Sequence, residues 1–279
     1  MFWQLPRSTL DLSSRGLVMG IVNVTPDSFS DGGQYFDAQL AIEHGLQLLA
    51  EGADILDIGG ESTRPGAEPV GEDEELRRVL PVIAGLRERT EAVLSVDTFK
   101  PQVAAAAVKA GADIINDISG FRDPRMIEVA AQCRAGLVIM HMQGTPRTMQ
   151  ARPGYTDVMA EVTKFFAERL AALQAAGVAA ERVVLDPGIG FGKALEHNLT
   201  LLRSLPQLAV QGRPRLVGVS RKSLLGTLLG SNAMEDRLWP TVALTAYVRE
   251  HGAQLVRVHE VRPNVEAMRM VEAIMASTA

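Results

Sequence analysis

Short apolar runs recur along this chain, with amphipathic stretches between them. The runs fall at residues 19–24, 55–58, 93–96, 114–115, 137–140, 183–185, 216–219 and 255–258, eight in all. They are rich in Val, Ile and Leu and show no polar face, which is how strands covered on both sides of a parallel sheet read. Between them, apolar positions repeat every three or four residues. Ala38, Ile42, Leu46 and Leu49 form one such stripe, and Val158, Val162, Phe166, Leu170 and Leu173 another. The spacing predicts helices over 72–89, 101–110, 124–133, 157–176, 195–208 and 233–250, with a last one over 263–275. Pro101 and Pro263 stand where helices begin, and Gly52, Gly111, Gly136, Gly177 and Gly252 where they end. Gly-Ala-Asp occurs at Gly52 and again at Gly111, which predicts one helix-to-strand turn used twice.

Eight strand–helix alternations imply a parallel sheet. At this length the best fit is an α/β protein with a (β/α)8 TIM barrel, one domain over residues 1–279. An open doubly wound sheet is the alternative. Residues 2–5 and 9–12 can pair as an N-terminal β-hairpin across Pro6-Arg7, suited to plug one end of the barrel. Only the stretches 25–36 and 62–71 are long enough to act as lids.

Composition narrows the function. The net charge of −5, with both signs interspersed, speaks against a nucleic-acid binder. Cys133 is the single cysteine, so no intrachain disulfide forms and a thiolate metal centre is not expected. The opening MFWQLPRSTL lacks the charged and apolar regions of a secretory signal. No apolar run nears the ~20 residues that span a bilayer. The expected location is cytoplasmic.

A barrel of this kind carries its site at the carboxyl ends of the strands. The residues there are Asn23 after the first run, then Asp57 and Glu61, Asp97 and Thr98, Asn116 and Asp117, His141 and Gln143, Asp186, Ser220 to Ser223, and finally Arg257 and His259. Each has a structural reading too. Asn23 could be a core amide, Asp97 and Thr98 a helix cap, Asp57 and Glu61 a buried network, and His141 a satisfied core histidine. Ser220 to Ser223 could be only a helix start. Gly188 to Gly192 resembles a phosphate loop but has neither GxGxxG spacing nor a GK[ST] ending. Convergence is what these separate readings leave unexplained, because the opposite strand ends carry few such groups. Arg64, Lys222, Arg257 and His259 suit a phosphate or diphosphate. Asp97, Asn116 and Asp186 suit a flat ring edge bearing N–H donors. Asn23 and Asp31 offer hard oxygens adequate for a Mg2+ that also takes phosphate oxygens and water.

These motifs resemble the dihydropteroate synthase family, the folate-pathway enzymes that sulfonamides inhibit. The resemblance rests on NVTPDSFSDGG from Asn23, DIGGESTRPGA from Asp57, VDT from Val96, NDISG from Asn116, HMQGTP from His141, DPGIGFGK from Asp186, SRKS from Ser220 and RVHEV from Arg257. It runs over residues 16–275. It implies a pterin-binding (β/α)8 barrel, commonly a homodimer. The reaction it implies joins p-aminobenzoate to 6-hydroxymethyl-7,8-dihydropterin diphosphate with Mg2+, giving 7,8-dihydropteroate and diphosphate. By that resemblance Asp97, Asn116, Asp186 and Lys222 hold the pterin, with Met140 and Arg257 bracketing its faces. Asn23, Thr63, Arg64, Arg257 and His259 bind the diphosphate, and Asn23 and Asp31 lie at the Mg2+. Phe29, Thr63, Pro65, Phe191, Lys222 and Ser223 form the p-aminobenzoate pocket, Ser223 at a helix N-terminus that would attract the carboxylate.

Three positions depart from the family pattern. Glu260 replaces the usual Asp after the His, Phe99 follows VDT where a small residue is commoner, and Ala194 replaces a frequent Thr after GFGK. Two other readings share the barrel. A methyltransferase acting on methyltetrahydrofolate would need no diphosphate set such as Arg64 with His259. A pterin-binding barrel without turnover would have no need of an intact Lys222, Arg64 and both loops.

Overall fold

The computed structural model describes residues 1–25, 34–63, 66–231 and 233–277. Eight parallel strands form one sheet. In chain order they are β3 (Leu17–Asn23), β4 (Ile55–Gly59), β5 (Val93–Asp97), β6 (Ile114–Asp117), β7 (Gly136–Met140), β8 (Val183–Asp186), β9 (Leu216–Val217) and β10 (Leu255–Val258). The sheet order β8-β7-β6-β5-β4-β3-β10-β9 leaves β8 and β9 at its ends. A parallel bridge from Leu185 to Arg215 joins those ends, with Leu185 N donating to the Pro214 carbonyl at 2.9 Å. The sheet therefore curls into a barrel, and the open-sheet alternative falls.

Successive side chains of a strand point to opposite sides, so parity sorts the residues. Val18, Leu56, Leu94, Ile115, Leu137, Leu185, Val217 and Val256 face outward and join the buried layer under the helices. Their neighbours Leu17, Met19, Ile55, Ile114, Val138, Val184, Leu216 and Leu255 make the apolar floor inside the barrel. Two residues further along the same inward positions come Ile21, Asp57, Ser95, Asn116, Met140, Asp186, Gly218 and Arg257. A last step brings Asn23, Gly59, Asp97, Ser220 and His259. The strands thus change from apolar to polar on the inside as they approach their carboxyl ends.

The floor is closed by the expected hairpin, β1 (Phe2–Gln4) antiparallel to β2 (Thr9–Asp11). Trp3 is fully buried there, packs with Leu5 and Leu12 against the floor, and donates from Nε1 to the Arg182 carbonyl at 2.8 Å. Arg7 forks onto Asp113, with Nε and one terminal nitrogen each 2.9 Å from a carboxylate oxygen. Asp113 belongs to the second Gly-Ala-Asp turn. Its Oδ2 accepts from Leu94 N at 3.0 Å, just as Oδ2 of Asp54 accepts from Val18 N at 2.9 Å. Each Asp satisfies the amide of the neighbouring strand at the barrel floor. Gln254 does the same for Arg215 N at 2.9 Å, so the turn is used a third time with an amide replacing the carboxylate.

The helices are α1 (Gln34–Ala50), α2 (Glu72–Arg87), α3 (Pro101–Ala110), α4 (Pro124–Gln132), α5 (Val158–Ala175), α6 (Leu195–Arg203), α7 (Ser223–Leu229), α8 (Leu238–Glu250) and α9 (Val261–Ala276). Helix α5 buries the anticipated stripe, and its Asp157 cap accepts from Met159 N and Ala160 N. Two expected helices are shorter than their apolar patterns suggest. The stretch 195–208 ends as α6 at Arg203 and continues as a 3-10 turn around Pro206, while 233–250 opens with a 3-10 turn at Glu235–Arg237 before α8. Short α7 is a separate helix between β9 and α8.

Candidate active site

A cavity of about 420 Å³ opens at the carboxyl end of the barrel. Asn23, Thr63, Asp97, Asn116, Met140, Asp186, Phe191, Lys222, Ser223, Arg257 and His259 all line it, from elements spread over the whole chain. Of the other residues singled out in the sequence, Phe29, Asp31, Arg64 and Pro65 lie outside the described residues.

Arg257 is the centre of the polar wall. Its Nε donates to Asp57 Oδ2 at 2.6 Å and its Nη2 to Asp97 Oδ2 at 2.7 Å. Asn116 Nδ2 donates to the same Asp57 oxygen at 3.0 Å. Asp57 is completely buried, and its second oxygen has no hydrogen-bond partner. The carboxylate therefore acts from beneath the cavity, fixing an arginine and an amide that both face into it. Burial opposes the Arg257 charge, but Asp57 and Asp97 outweigh it and raise its pKa. The helix-cap reading of Asp97 does not hold. Lys100 occupies the cap position of α3 and takes no side-chain bond there, while Thr98 Oγ1 accepts from Lys100 N at 3.2 Å. Glu61 joins a different network, in which Lys100 bridges it to buried Glu75.

At the end of β8, Asp186 Oδ1 accepts from Gly188 N at 2.7 Å. Burial pushes the Asp186 carboxyl up to about 6, partly offset by that backbone donor and by Lys222. Burial also raises Asp97, to about 7, against the pull of Arg257. Lys222 is lowered to about 8 by burial and by the Arg257 charge, and its ammonium sits 4.0 Å from the centre of the Phe191 ring. Ser220 Oγ lies 2.9 Å from His259 Nδ1 and accepts from His259 N at 3.2 Å, holding the imidazole at the rim. Carboxylates, cations and the amides of Asn23 and Asn116 so share one bowl with the His259 imidazole, and Met140, Ile118 and Met149 form an apolar side to it. A flat heterocycle with N–H donors can lie against the carboxylates while an anionic tail meets the cations.

His141 and the glycine-rich loop follow the structural reading. His141 is buried, with Nδ1 3.0 Å from Lys193 Nζ, and burial with that neighbouring cation drives its pKa down to about 2. Loop 188–192 packs onto the end of β7 and presents Ile189, Gly190 and Phe191 to the cavity. Among the departures, Phe99 packs at the edge of the apolar side and Glu260 pairs with Arg221. Met149 and Arg237 also line the cavity and carried no signal, since they come from segments between the strand ends and their helices.

The fold and the bowl define a (β/α)8-barrel enzyme that takes a polar, partly anionic small molecule. The model of the pterin binding enzyme family matches residues 19–259, and the chain belongs to that family. It is 48% identical to the dihydropteroate synthase of Escherichia coli K12 over 270 residues, covering 97% of this chain and 95% of that protein. Among solved structures it is similar to Xanthomonas albilineans dihydropteroate synthase with 4-aminobenzoic acid, with a TM-score of 0.91, 48% identity and coverage of 97% and 96%. The same enzyme in complex with 7,8-dihydropteroate gives 0.88, 46%, and 97% of both chains.

Proposed function

We propose that this chain is a dihydropteroate synthase, joining p-aminobenzoate to 6-hydroxymethyl-7,8-dihydropterin diphosphate. The observation that carries the reading is the gathering, within one cavity, of Asp97, Asn116 and Asp186 with Lys222, Arg257 and His259, in a chain so similar to two such enzymes. The carboxylates and the Asn116 amide take the pterin edge, and Met140 packs on its face. Thr63, Arg64, Arg257 and His259 take the diphosphate. The arylamine enters beside Phe191, Lys222 and Ser223, with Phe29 and Pro65 completing its pocket, which is also where a sulfonamide would compete.

The C–O bond to the diphosphate lengthens first, and positive charge grows on the pterin methylene. Asp97 and Asp186 stabilise that charge, while Arg64, Arg257 and His259 hold the leaving group. The neutral arylamine nitrogen then forms the new C–N bond and gives its proton to diphosphate or water. An arylamine is already a nucleophile at neutral pH, so no general base is needed. Among the described residues no cluster of three or more His, Cys, Asp or Glu could hold a metal. A Mg2+ carried largely by substrate phosphates would take Asn23 and Asp31 as its protein oxygens. Bound there, the ion would neutralise charge on the leaving group. The test is direct: pterin diphosphate, p-aminobenzoate and Mg2+ are mixed with the protein, which should release diphosphate and dihydropteroate together. A protein that binds the pterin and releases neither product would overturn the assignment.

Asp186 and Asp97 accept N–H donors most strongly, and with both oxygens, when ionised, and burial raises the pKa of both. The folded protein therefore holds protons that the unfolded chain has already released above about pH 4. Between there and pH 6–7 its unliganded stability loses from these two groups as pH rises. Ligand binding runs the other way. Affinity for 6-hydroxymethyl-7,8-dihydropterin, without its diphosphate, should rise from pH 5, by up to about tenfold per pH unit for each of the two carboxylates that must ionise, and level off near neutrality. Calorimetry across that range checks it, and Asp186→Asn should flatten the slope.

The homodimer belongs to the same proposal. Helices α8 and α9 pack together and expose Trp239, Met270 and Ile274, large apolar side chains of the kind a second copy of this chain would cover. Sedimentation should show a dimer, and Met270→Glu should shift it towards monomer. An unchanged dimer in that variant would move the interface elsewhere. No helix among the described residues is long and apolar enough to cross a membrane. Soluble phosphorylated substrates fit cytoplasmic work.

A further inference from the structure

One buried cation does not touch the cavity. Lys193 is almost wholly enclosed. Its Nζ lies 3.0 Å from His141 Nδ1, 3.2 Å from the His141 carbonyl, 3.0 Å from the Gly188 carbonyl and 3.0 Å from the Phe191 carbonyl. An ammonium has three N–H donors, so four acceptors compete for them. Those acceptors belong to two separate segments, the end of β7 and loop 188–191. A methylene chain ending in an amide could not serve so many acceptors, because an amide has only two donors. Burial lowers Lys193 to about 7, with Asp186 opposing the fall and Lys222 and Arg122 adding to it.

The loop it grips is the wall on which the second substrate rests. Phe191 bonds Lys193 through its own carbonyl and presents its ring to the Lys222 ammonium at 4.0 Å. Further latches hold the same loop from outside. Asn198 Oδ1 accepts from Gly190 N at 2.7 Å, and Gln150 Nε2 donates to the Gly190 carbonyl at 2.7 Å. The pterin side of the bowl is built differently, on strand residues whose backbones the sheet already fixes, and it meets the loop where Gly188 N donates to Asp186 Oδ1.

We propose that Lys193 is a positioning residue for the arylamine: its ammonium ties loop 188–191 to the end of β7 and so fixes Phe191 beside Lys222, without contact to either substrate. The proposal rests on reading the cavity as a synthase site. It predicts a split between substrates. In the full-length Lys193→Met protein, KM for p-aminobenzoate should rise about tenfold, the scale of one lost charge-assisted contact, while KM for the pterin diphosphate stays within about twofold. Amide hydrogen exchange should quicken in 188–192 and 141–143 and nowhere else. Equal changes in both KM values would overturn the proposal. So would unaltered exchange in the loop, or exchange quickened along the whole chain.

Should the wild-type protein make no dihydropteroate, the synthase reading fails, and the exchange experiment still decides whether Lys193 ties the loop. Should Lys193→Met not fold, Asn198→Ala loosens the same loop from its outer side without a buried charge change. It should give the same split at smaller size, and its absence would count against a loop-borne effect.

Discussion

Arg257→Ala should lose both stability and the first substrate, and lose them for separable reasons. The side chain neutralises two carboxylates at once, Asp57 at 2.6 Å and Asp97 at 2.7 Å. Asp57 has no exposure to water, and no other cation pairs with it among the described residues. Removing one partner of a buried pair typically costs about 3–5 kcal/mol, because the other charge stays behind. A urea titration should show a loss of that size. Binding of the pterin diphosphate should weaken further, since each charged hydrogen bond is worth about 1.5–3 kcal/mol, or roughly ten- to hundredfold. Binding of p-aminobenzoate to the preformed complex should change little. Adding Asp57→Asn separates the two effects. The double variant should recover much of the stability, because the fully buried carboxylate is gone and only Asp97, which lines the cavity, is left without its cation, but none of the diphosphate affinity. Equal weakening of both ligands would remove Arg257 from the diphosphate site. An unaltered urea midpoint would mean that Asp57 finds water.

Much of this arrangement was legible in the chain. Eight apolar runs, each with polar residues at its carboxyl end, sufficed to gather Asn23, Asp97, Asn116, Asp186 and Arg257 into one bowl. The apolar runs stopped short of the strand ends for a physical reason. The sheet pairs Gly59, Asp97, Asp117 and Asp186 as strand residues, whereas a hydrophobic pattern sees them as breaks. Partner choice was not legible. Asp57 lies 200 positions from Arg257, and nothing in a linear pattern says that it, not Glu61, lies beneath the cation. The third floor turn escaped because Gln254 replaces Asp while its side-chain oxygen does the same work. Met149 reaches the cavity from an irregular segment, where no period constrains direction, and Arg237 from the 3-10 turn that replaces the start of the expected helix 233–250. The p-aminobenzoate pocket was named by family likeness, since Phe29 has no distinctive spacing of its own, whereas the oxygens of Asn23 and Asp31 suggested a Mg2+ by their chemistry alone.

The loop after β8 gives the sharpest stability test, because the same substitution can be made where only one of two costs applies. Gly188 has φ +66, and a Cβ placed on it would lie 1.9 Å from the His141 carbonyl oxygen. Gly177, at the end of α5, has φ +82 with nothing within 4 Å of such an atom. Both alanine variants bear the left-handed strain of an L residue, about 1–2 kcal/mol. Only Gly188→Ala adds a collision with backbone. That carbonyl cannot retreat freely, since Lys193 donates to it and His141 N is bound to the Asp186 carbonyl at 2.9 Å. Relief must come from moving residue 188, whose N–H is the donor to Asp186 Oδ1. Gly188→Ala should therefore cost at least about 2 kcal/mol more than Gly177→Ala, within the range of overpacked cores. It should also weaken pterin binding, while Gly177→Ala leaves it intact. Urea titrations of the two variants with calorimetry on each provide the comparison. Equal losses would show that strain alone governs these glycines and that the loop has room to shift without disturbing Asp186.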